Sequence, residues 1–558
     1  MPDSQQPRTG GQILVDQLRL HGVDTVFGVP GESYLAVLDA LHDAPDIRFV
    51  ICRQEGGAAM MADADGKLTG RPGICMVTRG PGATNASAGV HIAFQDSTPM
   101  ILLIGQVARD MLEREAFQEI DYRRMFGQMA KWVAQIDDPA RIPEFMARAF
   151  HTAVQGRPGP VVLALPEDML RETATIADPR PYAPAVAHPG ADQMASLERL
   201  LRGAKRPFAV LGGGGWSAAA CDDFRTFAEA ASLPVGTAFR SQDTVDNEHR
   251  LYAGDVGIGI NPKLAARIDE ADLLLAVGAR LGEATTGGYS LFDVPRPRQT
   301  LVHVHPGAEE LGRVYQPDLA IQAGVGAFAA AARTLAPIEA PPWADWAAAA
   351  HADYLEFNRP VTCPGPVQMA EIVAAIREAL PDEAIITNGA GNYAGWVHRF
   401  FRLRRYRGQL GPTSGTMGYG TPAAVAARLR HPDRPVVAFA GDGCFLMHGQ
   451  ELATAMQYGV NITVIVVNNG MFGTIRMHQE RDYPDRVVGT MLSNPDFAAL
   501  ARAYGATGAI VERTEQFADA VAAALVHDGP SLIELRLDPE ALTPRASLSQ
   551  IREAGRGR

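Results

Sequence analysis

Cysteine, long apolar runs and an excess of basic residues are all scarce in this sequence, and each shortage removes a class of protein. The five cysteines, Cys52, Cys75, Cys221, Cys363 and Cys444, are scattered with no C-x-x-C pair. Neither a zinc site nor a disulfide framework is suggested, and the thiols fit a reducing cytoplasm. Apolar runs such as MILLIG and ITVIVV are far shorter than a bilayer span, so no membrane partner is expected. The N-terminal MPDSQQPRTGG lacks a basic stretch followed by an apolar one, so no secretory signal is expected either. Lys and Arg number 51 against 63 Asp and Glu, a net charge of -12, which argues against nucleic acid as the main partner. The longest basic cluster, RFFRLRRYRG at 399–408, reads as a solvated face or subunit contact.

What is present is ordinary globular composition over 558 residues, too long for one core and consistent with about three domains. Loose, proline-punctuated stretches at 177–192, 336–346 and 358–366 divide the chain. The expected domains are 1–176, 190–336 and 360–545. Each alternates short, continuously apolar runs with helix-length segments. TVFGV, RFVIC, GICMVT, MILLIG and GPVVLAL serve the first, PFAVLG, LLLAV and LVHVH the second, and AIIT, PVVAFA, ITVIVV and SLIEL the third. Continuous apolar strands separated by helices indicate parallel sheets covered on both faces. The expected fold class is therefore α/β, with three doubly wound parallel-sheet domains. The first and third could be distant copies of one design.

In the third block, GDGCFLMHGQEL at 441–452 wedges Asp442 between Gly441 and Gly443 directly after the run RPVVAFA. A surface turn is the bland explanation. Twenty-four residues later the next apolar run ends in Asn468 and Asn469, a spacing that fits a crossover helix and a parallel return strand. Asp442 and Asn469 then lie at the carboxyl ends of two parallel strands, where open α/β sheets bind ligands. A carboxylate, an amide carbonyl and free backbone carbonyls are hard oxygen donors that suit Mg²⁺ shared with phosphate.

GDG followed after 24 residues by NN resembles the signature of the thiamine diphosphate enzymes. The resemblance implies that Asp442, the Asn469 side chain and the Met471 carbonyl hold Mg²⁺ on the cofactor's diphosphate, with Gly441, Gly443 and Cys444 lining it. GPTSGTMGYGTPAA (411–424) matches the segment in which Met417 would bend the cofactor, and GAGNY (389–393) resembles a diphosphate turn formed by Gly391 and Asn392. In the first block, Glu55 in RFVICRQEGGAAMM would be the acid that activates the cofactor from beside its aminopyrimidine, general acid–base work by a carboxylate.

RGPGATN (79–85), STPMILLIGQV (97–107), EAFQEID (115–121), AKW (130–132) and GRPGPVVLALPED (156–168) resemble the acetolactate synthase branch, large subunit-like. They imply the first domain as the pyrimidine-binding one, a central Rossmann-like domain, and a third, diphosphate-binding domain. Gln118 and Phe117 would face the substrate. The implied reaction decarboxylates pyruvate or a similar 2-oxo acid and adds the resulting carbanion to a second carbonyl. A homodimer or dimer of dimers is implied, because the family draws the acid and the metal site from two subunits. A regulatory subunit is left undecided.

Departures concern the substrate. Gln54 replaces the usual His, and Glu32 in GVPGES stands where synthases have glycine, as in decarboxylases. A decarboxylase or carbon–carbon lyase without ligation is therefore the alternative. Arg476 and His478 are further candidates for substrate contact, with pairing of Arg476 to Asp482 or Asp485 as the bland reading of that residue. The loops LGGGGWS (211–217) and AVGARLGEATTGG (276–288) resemble those that hold FAD in the synthases. The acids common there are missing, which tips the balance slightly against FAD. The tail from 543 either folds over the site or hangs loose.

Overall fold

A computed structural model describes residues 6–557; the first five residues of the N-terminal stretch and Arg558 lie outside the described part. Three six-stranded sheets carry the chain, each parallel throughout. Contacts divide it into two compact units. The first holds the chain up to Ala185 with Val425–Arg430 and His448–Tyr458, and the second holds the remainder. The first sheet belongs to the first unit, and the other two belong to the second.

With strands numbered along the chain within each sheet, the first and third sheets share the order 2-1-3-4-6-5. The middle sheet runs 3-2-1-4-5-6, the dinucleotide-fold order. Every apolar run read as a strand is one. In these three sheets six strands escaped notice, Trp132–Gln135, Val235–Ala238, Tyr252–Val256, Leu319–Gln322, Gln409–Leu410 and Thr507–Val511, and all but Val235–Ala238 lie at a sheet edge; the short antiparallel pair Arg8–Thr9 and Thr173–Ala174 escaped as well. An edge strand buries fewer side chains and needs no continuous apolar run. Val235–Ala238 is buried throughout, but its sequence, VGTA, is too polar to announce it.

The stretch from 336 is loose only as far as Trp343; from there the chain forms helix Ala344–Phe357 where a loose region was expected. Trp343 at its cap and Ala347 join the middle sheet's core, and Tyr354 meets Tyr252 edge-on. The tail is also folded: helix Leu548–Arg556, capped by Ser547, packs on helix Gly473–Asp482.

Candidate active site

The order 2-1-3-4-6-5 fixes where a ligand can sit. The chain leaves strand 1 for one flank and returns on the other as strand 3, so the loops after these two strands diverge and open a crevice at their carboxyl ends. In the third sheet those strands are Ile385–Asn388 and Val436–Gly441. The crevice is walled by the 389–393 turn and by Asp442, which starts helix Asp442–His448.

Asp442 is 3% exposed. Its Oδ1 accepts the Gly443 N–H at 2.8 Å, and Oδ2 accepts the Gly470 N–H at 2.9 Å and the Asn494 amide at 2.8 Å. Burial pushes its pKa up, against the pull of those donors. The Asn494 amide also donates to Asn468 Oδ1 at 2.9 Å, and Asn468 donates to the buried Glu534 at 2.8 Å. Asn468 thus serves the scaffold, leaving Asn469 beside it at the strand's end. Met471 is buried and pairs with Met491 in an isolated antiparallel bridge.

Cys444 ties the loops together. Its sulfur lies 3.1 Å from the Gly418 nitrogen and 3.2 Å from the Tyr393 hydroxyl, which accepts the Gly389 N–H at 3.0 Å. The 389–393 turn, the loop bearing Met417 and the GDG helix are thereby fixed to one another. Gly391 caps helix Asn392–Phe400, and Asn392 Oδ1 accepts the Thr474 hydroxyl at 2.9 Å. Among the described residues no three His, Cys, Asp or Glu side chains gather around a metal position. One buried carboxylate beside an amide and backbone carbonyls is nevertheless a donor set that fits Mg²⁺ shared with a diphosphate.

Arg476 is not free. It binds Glu480 on its own helix (Nε to Oε1, 2.9 Å) rather than Asp482 or Asp485. Glu480 also accepts from Arg552 of the tail helix at 2.9 Å, and that pairing holds its carboxyl down at about pKa 2. His478 lies on the same helix, half-buried.

In the first unit, Glu55 opens helix Glu55–Thr69, whose cap, Gln54, accepts the Gly57 N–H. Glu55 Oε2 accepts the Asn85 amide at 2.9 Å. The turn before it is held by Glu451, fully buried, which accepts the backbone N–H groups of Arg53 and Gln54 at 3.1 Å and the Thr454 hydroxyl at 2.6 Å. A Cβ on Gly57 would stand 2.6 Å from Glu451 Oε1, so only glycine admits this carboxylate. Sequence reading missed Glu451, although it lies inside the GDG stretch itself. Its sequence signal was a lone acid among apolar helix residues, GQELATA.

Phe117 is 71% exposed, and Gln118 follows it with φ +66°. Gly80, itself at φ +57°, would bring a Cβ to 2.7 Å from that of Gln118. Behind this turn is a second residue missed from sequence, Arg79. It donates to the Phe117 carbonyl at 3.2 Å, to Glu167 at 3.2 Å and to Glu32 at 3.4 Å.

In the middle sheet the glycine-rich loop and Gly278 press together. A Cβ on Gly213 would overlap the Gly278 carbonyl, and Trp216 donates back to the Gly212 carbonyl at 2.9 Å.

Two α/β domains of equal winding, one ending in a glycine-flanked acid beside an asparagine pair and the other presenting a strand-end glutamate, define a thiamine diphosphate-binding architecture. Family models agree. The thiamine pyrophosphate enzyme N-terminal TPP binding domain matches residues 8–125, the central domain 194–332 and the C-terminal TPP binding domain 389–535. The chain belongs to the thiamine pyrophosphate enzyme family. Within that family it is 35% identical to the acetolactate synthase large subunit of Parasynechococcus marenigrum, covering 96% of this chain and 89% of the relative. It is 33% identical to that of Corynebacterium glutamicum (96% and 87%) and 32% identical to acetolactate synthase isozyme 1 large subunit of Escherichia coli (95% and 94%).

Proposed function

We propose that this chain is a thiamine diphosphate- and Mg²⁺-dependent carboligase of the acetolactate synthase type, acting on pyruvate or a similar 2-oxo acid. The observation that carries this reading is the crevice of the third sheet, where buried Asp442 stands opposite the 389–393 turn with Asn469 and Met471 alongside. Asp442, Asn469 and the Met471 carbonyl would hold the metal. Gly391, Asn392, Gly441, Gly443 and Cys444 would line the diphosphate, and Met417 would support the cofactor's bend. When bound, the cofactor would supply a nucleophilic carbon for the carbonyl of the 2-oxo acid and a cationic ring to take up the electron pair left as CO₂ departs.

Glu55 would exchange a proton with the aminopyrimidine, its Oε2 oriented by Asn85. Gln118 would bind substrate from its strained turn, with exposed Phe117 shielding the site from water. The pairing of Arg476 with Glu480 disfavours it as a substrate contact, and His478 would follow it on that helix. The middle-domain glycines are used in packing two loops on each other, which supports a reading without FAD. The same proposal takes 1–176, 190–336 and 360–545 as the three domains of a cytoplasmic homodimer or dimer of dimers. Among the described residues no helix is long and apolar enough to cross a membrane.

The test is product analysis by NMR after incubation with pyruvate, thiamine diphosphate and Mg²⁺, beside a Glu55→Gln control. Acetolactate formed by the wild type and lost in the control is the expected result. Acetaldehyde and CO₂ alone would establish the decarboxylase instead.

A further inference from the structure

The first sheet has the same winding as the third and therefore the same crevice, between the loops that follow strands Thr25–Gly28 and Gly73–Val77. Glu32 stands on one lip and Arg79 on the other. Glu167, just past strand Pro160–Pro166, backs them. The side chain of Arg79 is only 9% exposed, whereas that of Glu32 is 67% exposed and their contact is 3.4 Å long.

These figures rank the two pairings. Glu167 is the more sheltered partner, closer at 3.2 Å, and satisfies the charge that burial would otherwise leave costly. Glu32 is a long, solvent-screened partner of the kind worth roughly 0–1 kcal/mol. A carboxylate able to bond the guanidinium more closely would displace it. Arg79 also donates to the carbonyl of Phe117, immediately before Gln118, so the cation is fastened to the turn that carries the proposed substrate residues.

Resting on the carboligase reading, we infer that Arg79 is the receptor for the substrate's carboxylate, and that Glu32 occupies it as an internal placeholder which the 2-oxo acid must displace. Glu32 then sets specificity. It lowers affinity for small monocarboxylates and rejects ligands that cannot offer Arg79 a better partner.

The probe is oxamate, an unreactive isostere of pyruvate, with neutral oxamide as its control. Both are titrated calorimetrically into the full chain saturated with thiamine diphosphate and Mg²⁺. Glu32→Gln should tighten oxamate about twofold to fivefold, the most that releasing a contact of this strength yields. Arg79→Gln should weaken it at least tenfold, and Arg79→Lys should fall between, since an ammonium lacks the guanidinium fork. Oxamide affinity and thiamine diphosphate affinity should hold within twofold in every variant.

Wild-type protein that binds the cofactor but not oxamate would overturn the inference. So would an Arg79→Gln variant with unchanged oxamate affinity, or a Glu32→Gln variant that fails to tighten it. Should Arg79→Gln unfold, the Glu32→Gln arm still decides. Failure of the underlying reading looks different: the wild type would show no Mg²⁺-dependent binding of thiamine diphosphate.

Discussion

The first and third sheets are wound alike, and the order of their strands opens the same crevice in each, yet the chain fills the two with opposite charge. In the third, the residue after strand 3 is a carboxylate, Asp442, fed by three N–H donors. In the first, the corresponding loop carries a guanidinium, Arg79, fed by two carboxylates and a carbonyl. Topology thus decides where a ligand is received, and a few side chains at the strand ends decide its charge. Glu55 adds a third case. It follows the edge strand Arg48–Ile51 of the first sheet, and its carboxylate is held by Asn85 and left half-exposed.

The largest expected effect breaks the third crevice alone. Asp442→Ala should abolish Mg²⁺-dependent cofactor binding in calorimetry while leaving the circular dichroism of the protein unchanged. Retained binding would remove Asp442 from the metal site. Glu55→Gln should lose about 10²- to 10⁴-fold in turnover, the usual worth of general acid–base catalysis. Cofactor affinity should stay near the wild type, separating chemistry from binding.

Glu451→Ala tests how the acid is held. It leaves the backbone N–H groups of Arg53 and Gln54 and the buried Thr454 hydroxyl without their acceptor, at about 1–3 kcal/mol for each group that water cannot reach. Thermal unfolding should fall by several degrees, and turnover should drop with cofactor affinity retained. An unchanged melting temperature would show that water replaces the carboxylate.

Smallest is the tail. The folded pKa of Glu480, about 2, lies below the ordinary glutamate value, so its pairing stabilises fully above about pH 4.5 and is lost as pH falls towards 2. The protection factors of the amides in 548–556, exchange rates referred to the unfolded chain at the same pH, should therefore fall between about pH 4.5 and 3. In Glu480→Gln they should already be low at neutral pH and should not fall further over that range. Equal protection in both proteins would assign the docking of the tail to the apolar cluster that its Leu548 and Ile551 form with Met471, Met477 and Leu542.

Much of this was legible in the chain because parallel strands buried on both faces must be continuously apolar, and because GDG and NN lie at a spacing that only a crossover unit explains. The sequence by itself determined the fold class, every interior strand but Val235–Ala238, and the positions of Asp442, Asn469 and Glu55. Five of the six edge strands of the three sheets escaped, since a strand paired on one side only needs no continuous apolar run. Pairings across many residues also escaped: Glu451 with Arg53 and Gln54, Asn494 with Asp442, Arg79 with Glu32 and Glu167, and Glu480 with Arg552 of the tail. Only the tertiary structure decided these. A buried charge or amide takes whichever partner packing brings within about 3 Å, and nothing in the local sequence of either residue records which that is.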